Sequence, residues 1–537
     1  MQFDYDFIII GSGFGGSVSA LRLSEKGYSV CVIEQGKRFR PQDFAETNWN
    51  IRKYLWAPFL KCFGIQNLSL FRNILILSGT GVGGGSLVYA NTLLEPSDEF
   101  YEAPIWKNLA NWKSELAPHY QVAKKMLGVV PNPKFSFVDH ALQECARELK
   151  REETFQPTQV AVFFGEAGKE VSDPYFDGKG PNRTGCIYCG GCMVGCRYNA
   201  KNTLDKNYLY FAEKNGVQIV PETVVTNINP IYDNKDIIGY EIHTQNSTAW
   251  FKKDSKILRA KRIVLSAGVL GTLSLLLKCK YITKTLPLLS ERLGHHVRTN
   301  SEALVGVSKK KFDEAKDCSQ GIAISSIFHP DQHTHIEPVR YSKGSDFMRL
   351  LAVPMVNGTK ILFLRPLKLL WTVFTHPIDA FRLMFNFKWA QRTIILLVMQ
   401  TLDNQMRFQL GRGLQTLFRK KLITAPEEGS YKIPAYIPIA NTVARLLAKK
   451  LDAIPQSTFN EVILNIPTTA HILGGCAIGA TAETGAINAK HEVFGYPGLH
   501  VCDGSAIPAN LGVNPSLTIT AMTERAVSHI PRRAVSP

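Results

Sequence analysis

The run GSGFGG at residues 11–16 constrains this chain more than any other feature. It follows directly on an apolar, β-branched stretch at 6–10 and opens the helically spaced segment SVSALRLSEKG, which stops at Gly27. A second strand-like run, YSVCVIE, ends on Glu34. Strand, tight turn, helix and strand over 4–34 make a βαβ opening, and with it a parallel sheet. Gly11, Gly13 and Gly16 fill the G-x-G-x-x-G pattern. The first permits the turn, the second lets backbone approach a pyrophosphate, and the third lets helix and strand pack closely. Phosphates would rest on the helix N-terminus, where free N–H groups and the helix dipole favour negative charge. A carboxylate at Glu34 stands where a ribose diol could donate to it. The motif by itself is met by FAD and by NAD alike.

Two further glycine-bearing stretches reinforce this opening. SGTGVGGGS at 78–86 is too flexible for a strand or helix interior and reads as a loop that a ligand or another backbone approaches closely. ANLGVNPSLTIT at 509–520 predicts a helix start, with Asn514 as N-cap and Pro515 at the first helical position. Such a start directs its dipole at whatever lies before it; a flavin carbonyl that gains negative charge on reduction would be well served. Glycine-rich signals at both ends imply one cofactor domain assembled from distant segments, 1–110, 200–310 and 460–537. The expected partner is an α+β substrate-binding domain from 111–199 and 311–459, its sheet lying over the cofactor.

Bulk properties set outer limits. A chain of 537 residues, 45% apolar and 20% charged, is an ordinary globular composition long enough for two or three domains. Its formal net charge of +17 favours anionic partners. No compact Lys/Arg cluster with interleaved aromatics occurs, so nucleic acid is not expected. Nothing resembling a signal peptide precedes Phe3, and no uncharged apolar run reaches about 18 residues, the length that spans a bilayer. The expectation is a cytoplasmic protein with reduced thiols among its 11 cysteines. The stretch at 366–387 sets Trp371, Phe374, Phe381, Phe385 and Phe387 among Lys368 and Arg382, with Arg365 just before it. That mixture suits peripheral contact with the inner face of a membrane, a pocket-wall helix, or a lid that serves as both.

Two motifs leave alternatives open. His471, in TTAHILGGCAIG, is by residue type a packed histidine, a base or a metal ligand, and no second ligand lies at suitable spacing. Cys186, Cys189, Cys192 and Cys196 have the C-x2-C-x2-C-x3-C spacing of bacterial ferredoxins. However, only one such run exists, and Arg197 follows it where those proteins have proline. A structural knot near the cofactor is the expectation, with an iron–sulfur cluster or zinc as the alternative.

Taken in order, GSGFGG with Glu34, GTGVGGGSLVYAN at 79–91, VLSAGVLGT at 264–272, AHILGGCAIG at 470–479 and VCDGSAIPANLGVNPSLTITAMTERA at 501–526 resemble the glucose-methanol-choline oxidoreductases. The cholesterol oxidase branch is the most similar. The resemblance implies FAD, two domains and oxidation of a hydroxyl group. It places Gly11, Gly13, Gly16 and Glu34 at the ADP half, the backbone of Val225 at adenine, and Gly81, Gly84 and Ser86 along ribityl and flavin. Asp503 goes to the ribityl or pyrophosphate region. His471 and Asn514 match the pair that faces the reactive edge of the flavin, and Glu337 stands near the glutamate of double-bond isomerisation. The implied substrate is an apolar hydroxylated molecule, a sterol or long-chain alcohol, with oxygen or another acceptor taking the electrons. The rival readings are a long-chain alcohol dehydrogenase relaying electrons through an iron–sulfur cluster, and a sterol- or membrane-binding flavoprotein without catalysis.

Overall fold

The computed structural model describes residues 2–251, 253–359, 361, 364–413, 416 and 418–534. Its first core is a parallel sheet built on β1 (Tyr5–Ile10) and β2 (Val30–Ile33), joined by α1 (Phe14–Glu25). β1 pairs with β2 on one side, Phe7 opposite Val30 and Ile10 opposite Ile33. On its other side it pairs with Ser255–Leu265, again in parallel. Gln218–Val220 continues the sheet beyond β2, and Leu499–Val501 joins the end of Ser255–Leu265. Segments separated by hundreds of residues therefore share one sheet. An antiparallel pair, Thr223–Asp233 and Asp236–Asn246, completes it. Helices cover the sheet, so β1 and β2 are apolar on both faces rather than alternating. Ser516–Ser528 packs against both α1 and Trp112–Leu127, with Tyr120 and Thr518 hydroxyls 2.9 Å apart. The helix Trp112–Leu127, which begins just beyond the expected boundary at 110, thus packs with this first core.

The second core is an antiparallel sheet in the order Thr334–Val339, Thr393–Gln400, Ala303–Lys309, Ala453–Thr458, Ala352–Pro354. Alternation along its strands divides the side chains between two faces. Val305, Val307, Leu396 and Val398 pack under helices Phe137–Glu148 and Pro438–Lys450. Leu304, Val339, Ile395 and Leu397 point the other way and wall a cavity. No described helix is long and apolar enough to cross a membrane.

Candidate active site

A cavity of about 2110 Å³, its open mouth included, lies between that apolar wall and the carboxyl ends of the parallel strands. Ile10, Ile33 and Ser266 mark those strand ends in its lining, the position where α/β sheets bind ligands.

The glycine loop forms one end. A Cβ on Gly16 would stand 1.9 Å from the Gly11 carbonyl oxygen, so only glycine lets the helix start close on the strand. A Cβ on Gly13, by contrast, would meet no protein atom within 4 Å; its open side faces the cavity. α1 has no side-chain cap, which leaves its first-turn N–H groups for a ligand. Gly268 repeats this arrangement at the start of Gly268–Tyr281, also uncapped and also free of neighbours around its Cβ position. Two uncapped helix starts on one cavity fit a pyrophosphate.

Glu34 lines the same end and does more than present a carboxylate. Its oxygens accept from the Ser12 N–H at 3.1 Å, the Ser12 hydroxyl at 2.8 Å, the Gly36 N–H at 2.8 Å and the Gly81 N–H at 3.3 Å. Burial pushes its carboxyl above the ordinary carboxylate range, against the pull of those donors. Glu34 therefore ties the first glycine loop to the second, and ribose hydroxyls reaching it would share its acceptors. Gly84 lines the cavity and touches the first loop directly, its Cβ position lying 2.6 Å from Gly13 Cα. Gly81 and Ser86 stand behind the wall. Gly81 serves Glu34, and the Ser86 hydroxyl donates to the Gly83 carbonyl at 2.7 Å and accepts from the Leu204 N–H at 3.1 Å. Val225 lines the cavity at a bulge in its strand, an irregularity that re-aims backbone. Asp503 does too, accepting from the Thr272 hydroxyl at 2.6 Å and the Ser505 N–H at 2.8 Å.

A second group of ionisable side chains meets at His471, in the lining of the same cavity. His471 follows the short strand Thr468–Thr469, and its N–H donates to the Thr469 hydroxyl at 2.9 Å. Its Nε2 lies 3.5 Å from Asn514 Nδ2, and its Nδ1 lies 3.1 Å from Glu302 Oε1. Glu302 is buried at the head of Ala303–Lys309 and accepts from the Ala470 N–H at 3.0 Å and from the Thr469 hydroxyl. Burial alone would lower the imidazole's proton affinity, but the Glu302 charge outweighs it and raises His471 above its ordinary value. Glu302 moves down correspondingly: burial opposes its ionisation, and His471 overcomes it. Glu302 is the site residue that the sequence does not flag, because its run NSEALVG reads only as a strand entry.

Asn514 departs from the capping expectation. The helix begins at Ser516 with Pro515 before it and no side-chain cap, while the Asn514 amide turns to His471. The pairing with imidazole competes with the cap and wins here, because Asn514 is held inside the cavity wall. Glu337 is fully buried on Thr334–Val339, on the same face as cavity-lining Val339. Among the described residues neither of its oxygens has a hydrogen-bond partner, and one lies 3.8 Å from His335 Nε2. Burial pushes its carboxyl up to about 8, against weaker opposing pulls from His471 and Asn514.

The cysteine run folds as an apolar knot. Cys186 packs with Val160, Val162, Ala200 and Ile322, and burial raises its thiol, as it does those of Cys189 (to about 11) and Cys192. Lys201 lies buried beside it, donating to the Leu87 carbonyl at 3.0 Å and the Cys192 carbonyl at 2.8 Å. Among the described residues no three His, Cys, Asp or Glu side chains are placed to hold a metal ion.

Comparison with known proteins agrees with this geometry. Family models described as GMC oxidoreductase match residues 5–298 and 419–523. A cholesterol oxidase of Acinetobacter baumannii is 46% identical over 99% of this chain and 95% of its own length. A cholesterol oxidase of Mycobacterium tuberculosis is 47% identical over 99% and 92%. A long-chain-alcohol oxidase of Arabidopsis thaliana is more distant, 24% identical over 96% of this chain and 65% of its own. The fold is shared with pyridoxine 4-oxidase from Mesorbium loti, at a TM-score of 0.60 and 14% identity over 98% and 99% of the two chains. The chain belongs to the GMC oxidoreductase family and is an FAD-dependent oxidoreductase acting on CH–OH groups.

Proposed function

We propose that the chain oxidises a secondary alcohol on a large apolar molecule, a 3β-hydroxysteroid, to the ketone, with oxygen as final acceptor. The observation that carries this reading is an imidazole backed by a buried carboxylate, lining the same cavity as two uncapped helix starts that suit dinucleotide phosphates. The apolar wall of Leu304, Ile324, Val339 and Leu397 suits a substrate with one polar group. The two cholesterol oxidases at 46% and 47% identity favour a sterol.

Gly11, Gly13, Gly84, Gly268 and Asp503 would hold FAD, which supplies a two-electron hydride acceptor when bound. His471 Nε2 takes the hydroxyl proton, and Glu302 at Nδ1 offsets the charge that imidazole gains. Asn514 fixes the alcohol oxygen beside that nitrogen. Glu337 holds its proton at neutral pH, which keeps a second negative charge away from His471, and it stands behind the lining on the strand face that carries Val339. The cysteine run packs against Val160, Val162, Ala200 and Ile322, which supports a structural role for it.

Aerobic incubation with cholesterol tests the reading, with ketone and hydrogen peroxide expected in equal amounts. Protein with bound FAD that produced neither would sink it. The Glu337→Gln variant separates two steps. It keeps ketone formation, and if Glu337 moves the ring proton, the product loses the ultraviolet band of the conjugated enone. A variant still making conjugated product at the original rate removes Glu337 from that step.

A further inference from the structure

Two helices on the substrate side are built inside out. In Leu364–Thr375 the buried positions are Arg365 and Leu369. Arg365 is tied inward to Glu461 at 2.7 Å and to the backbone carbonyls of Ala435 and Glu461. The outward stripe is Leu367, Leu370, Trp371 and Phe374, at helical spacing, with Trp371 66% and Phe374 78% exposed. Pro377–Met384 repeats the pattern: Leu383 faces in, while Ile378, Phe381 and Met384 face out, followed by Phe387 at 73% exposure. A soluble helix carries its charge outward and its apolar stripe inward. Here the anchor is a buried ion pair and the free face is apolar, a patch far beyond scattered surface hydrophobes.

Charge around the patch selects its partner. Lys368, Arg382 and Lys388 are exposed there, and over residues 361–388 the sole acid is Asp379, which pairs with Arg382 at 3.4 Å. Arg349 extends the cationic rim, its guanidinium over the rings of Trp49 and Phe387. Two copies meeting face to face would oppose these cations, whereas an anionic lipid surface neutralises them. The patch also connects to the site: Phe347–Leu351 contacts Pro377–Met384, Leu350 is exposed, and neighbouring Met348 lines the cavity.

The geometry points to a membrane-docking surface. The outward faces of Leu364–Thr375 and Pro377–Met384 insert into the interface of a bilayer containing anionic lipid. Lys368, Arg382 and Lys388 lie at the headgroups, and the cavity side is turned toward the membrane. Delivery of substrate from the bilayer rests on the sterol reading above; the docking does not.

The test uses FAD-loaded, full-length protein and sterol-free vesicles, so that its outcome stands apart from the substrate. Wild type is expected to float with vesicles of equal phosphatidylcholine and phosphatidylglycerol, and to release in high salt. The combined variant Trp371→Ser, Phe374→Ser, Phe381→Ser, Phe387→Ser is expected to lose that binding about tenfold or more. So is Lys368→Glu, Arg382→Glu, Lys388→Glu, which leaves the apolar stripe in place. Both should keep the flavin absorbance and the turnover of detergent-dispersed alcohol. Flotation unchanged in both variants, or absent in wild type, overturns the proposal. So does a wild-type dimer in sedimentation without lipid that the serine variant dissolves, which would assign the patch to self-association.

Discussion

Replacing His471 with alanine is expected to lower kcat on the alcohol by about 10²–10⁴-fold while leaving FAD bound, the range for removing a positioned general base. The retained flavin follows from the layout. The glycine loop, Gly84, Gly268 and Asp503 line the cavity, and the described hydrogen bonds and ion pairs of His471 go to Thr469, Asn514 and Glu302 rather than to any of them. KM should change little, because the apolar wall supplies most of the contact with a sterol-sized molecule. Steady-state kinetics, with flavin content read from the visible spectrum of the same sample, check both halves. Unchanged kcat removes His471 from the proton transfer, and a colourless variant makes it a support of the cofactor site instead.

The second large effect belongs to Glu302→Gln, which keeps the shape and removes the charge. Glu302 raises His471 above its ordinary value of about 6.5. The working form of His471 is neutral imidazole, so kcat/KM in wild type climbs with pH until it passes that raised value. Without the carboxylate, the imidazole titrates lower and the acid limb of the profile moves to lower pH. The plateau falls as well, by roughly 10²-fold, since the charge formed at Nε2 is no longer offset. A merely structural role would lower activity without moving the limb. The pair also has a stability signature. The Glu302 contribution is lost as pH falls through its lowered folded value, and that of His471 is lost as pH rises through its raised one. The gap in Tm between wild type and variant is therefore widest between about pH 4.3 and 6.5, the two unfolded values.

The cofactor end was legible in the sequence because its information is local. GSGFGG follows directly on β1, helix α1 stops just before Gly27, and the pattern glycines fall at the turn (Gly11), the helix N-cap (Gly13) and the first helical turn (Gly16). His471 and Asn514 were legible as a pair through motif resemblance, which the structure places 3.5 Å apart. Glu302 was not, since it reaches His471 only when strand Ala303–Lys309 comes to lie beside Thr468–Thr469, and nothing local encodes that meeting. Asn514 was misread as a cap because capping is a local rule, and a contact across the cavity overrode it. The facing of 364–384 was likewise beyond the sequence. Periodicity shows an apolar stripe but not which way it looks, and the buried Arg365–Glu461 pair decides that the charge goes in. Gly81 and Ser86 also hold neighbouring loops in place, Gly81 through Glu34 and Ser86 through Gly83 and Leu204.

Anaerobic mixing of the purified yellow protein with cholesterol, following the visible flavin band in wild type and His471→Ala side by side, tests the role of His471 beside the flavin most directly. Wild type is expected to lose the band, with one ketone formed per flavin, and the variant to react at least about 10²-fold more slowly at equal flavin content. Equal rates in the two proteins, or a band in wild type that no sterol or long-chain alcohol diminishes, would contradict it.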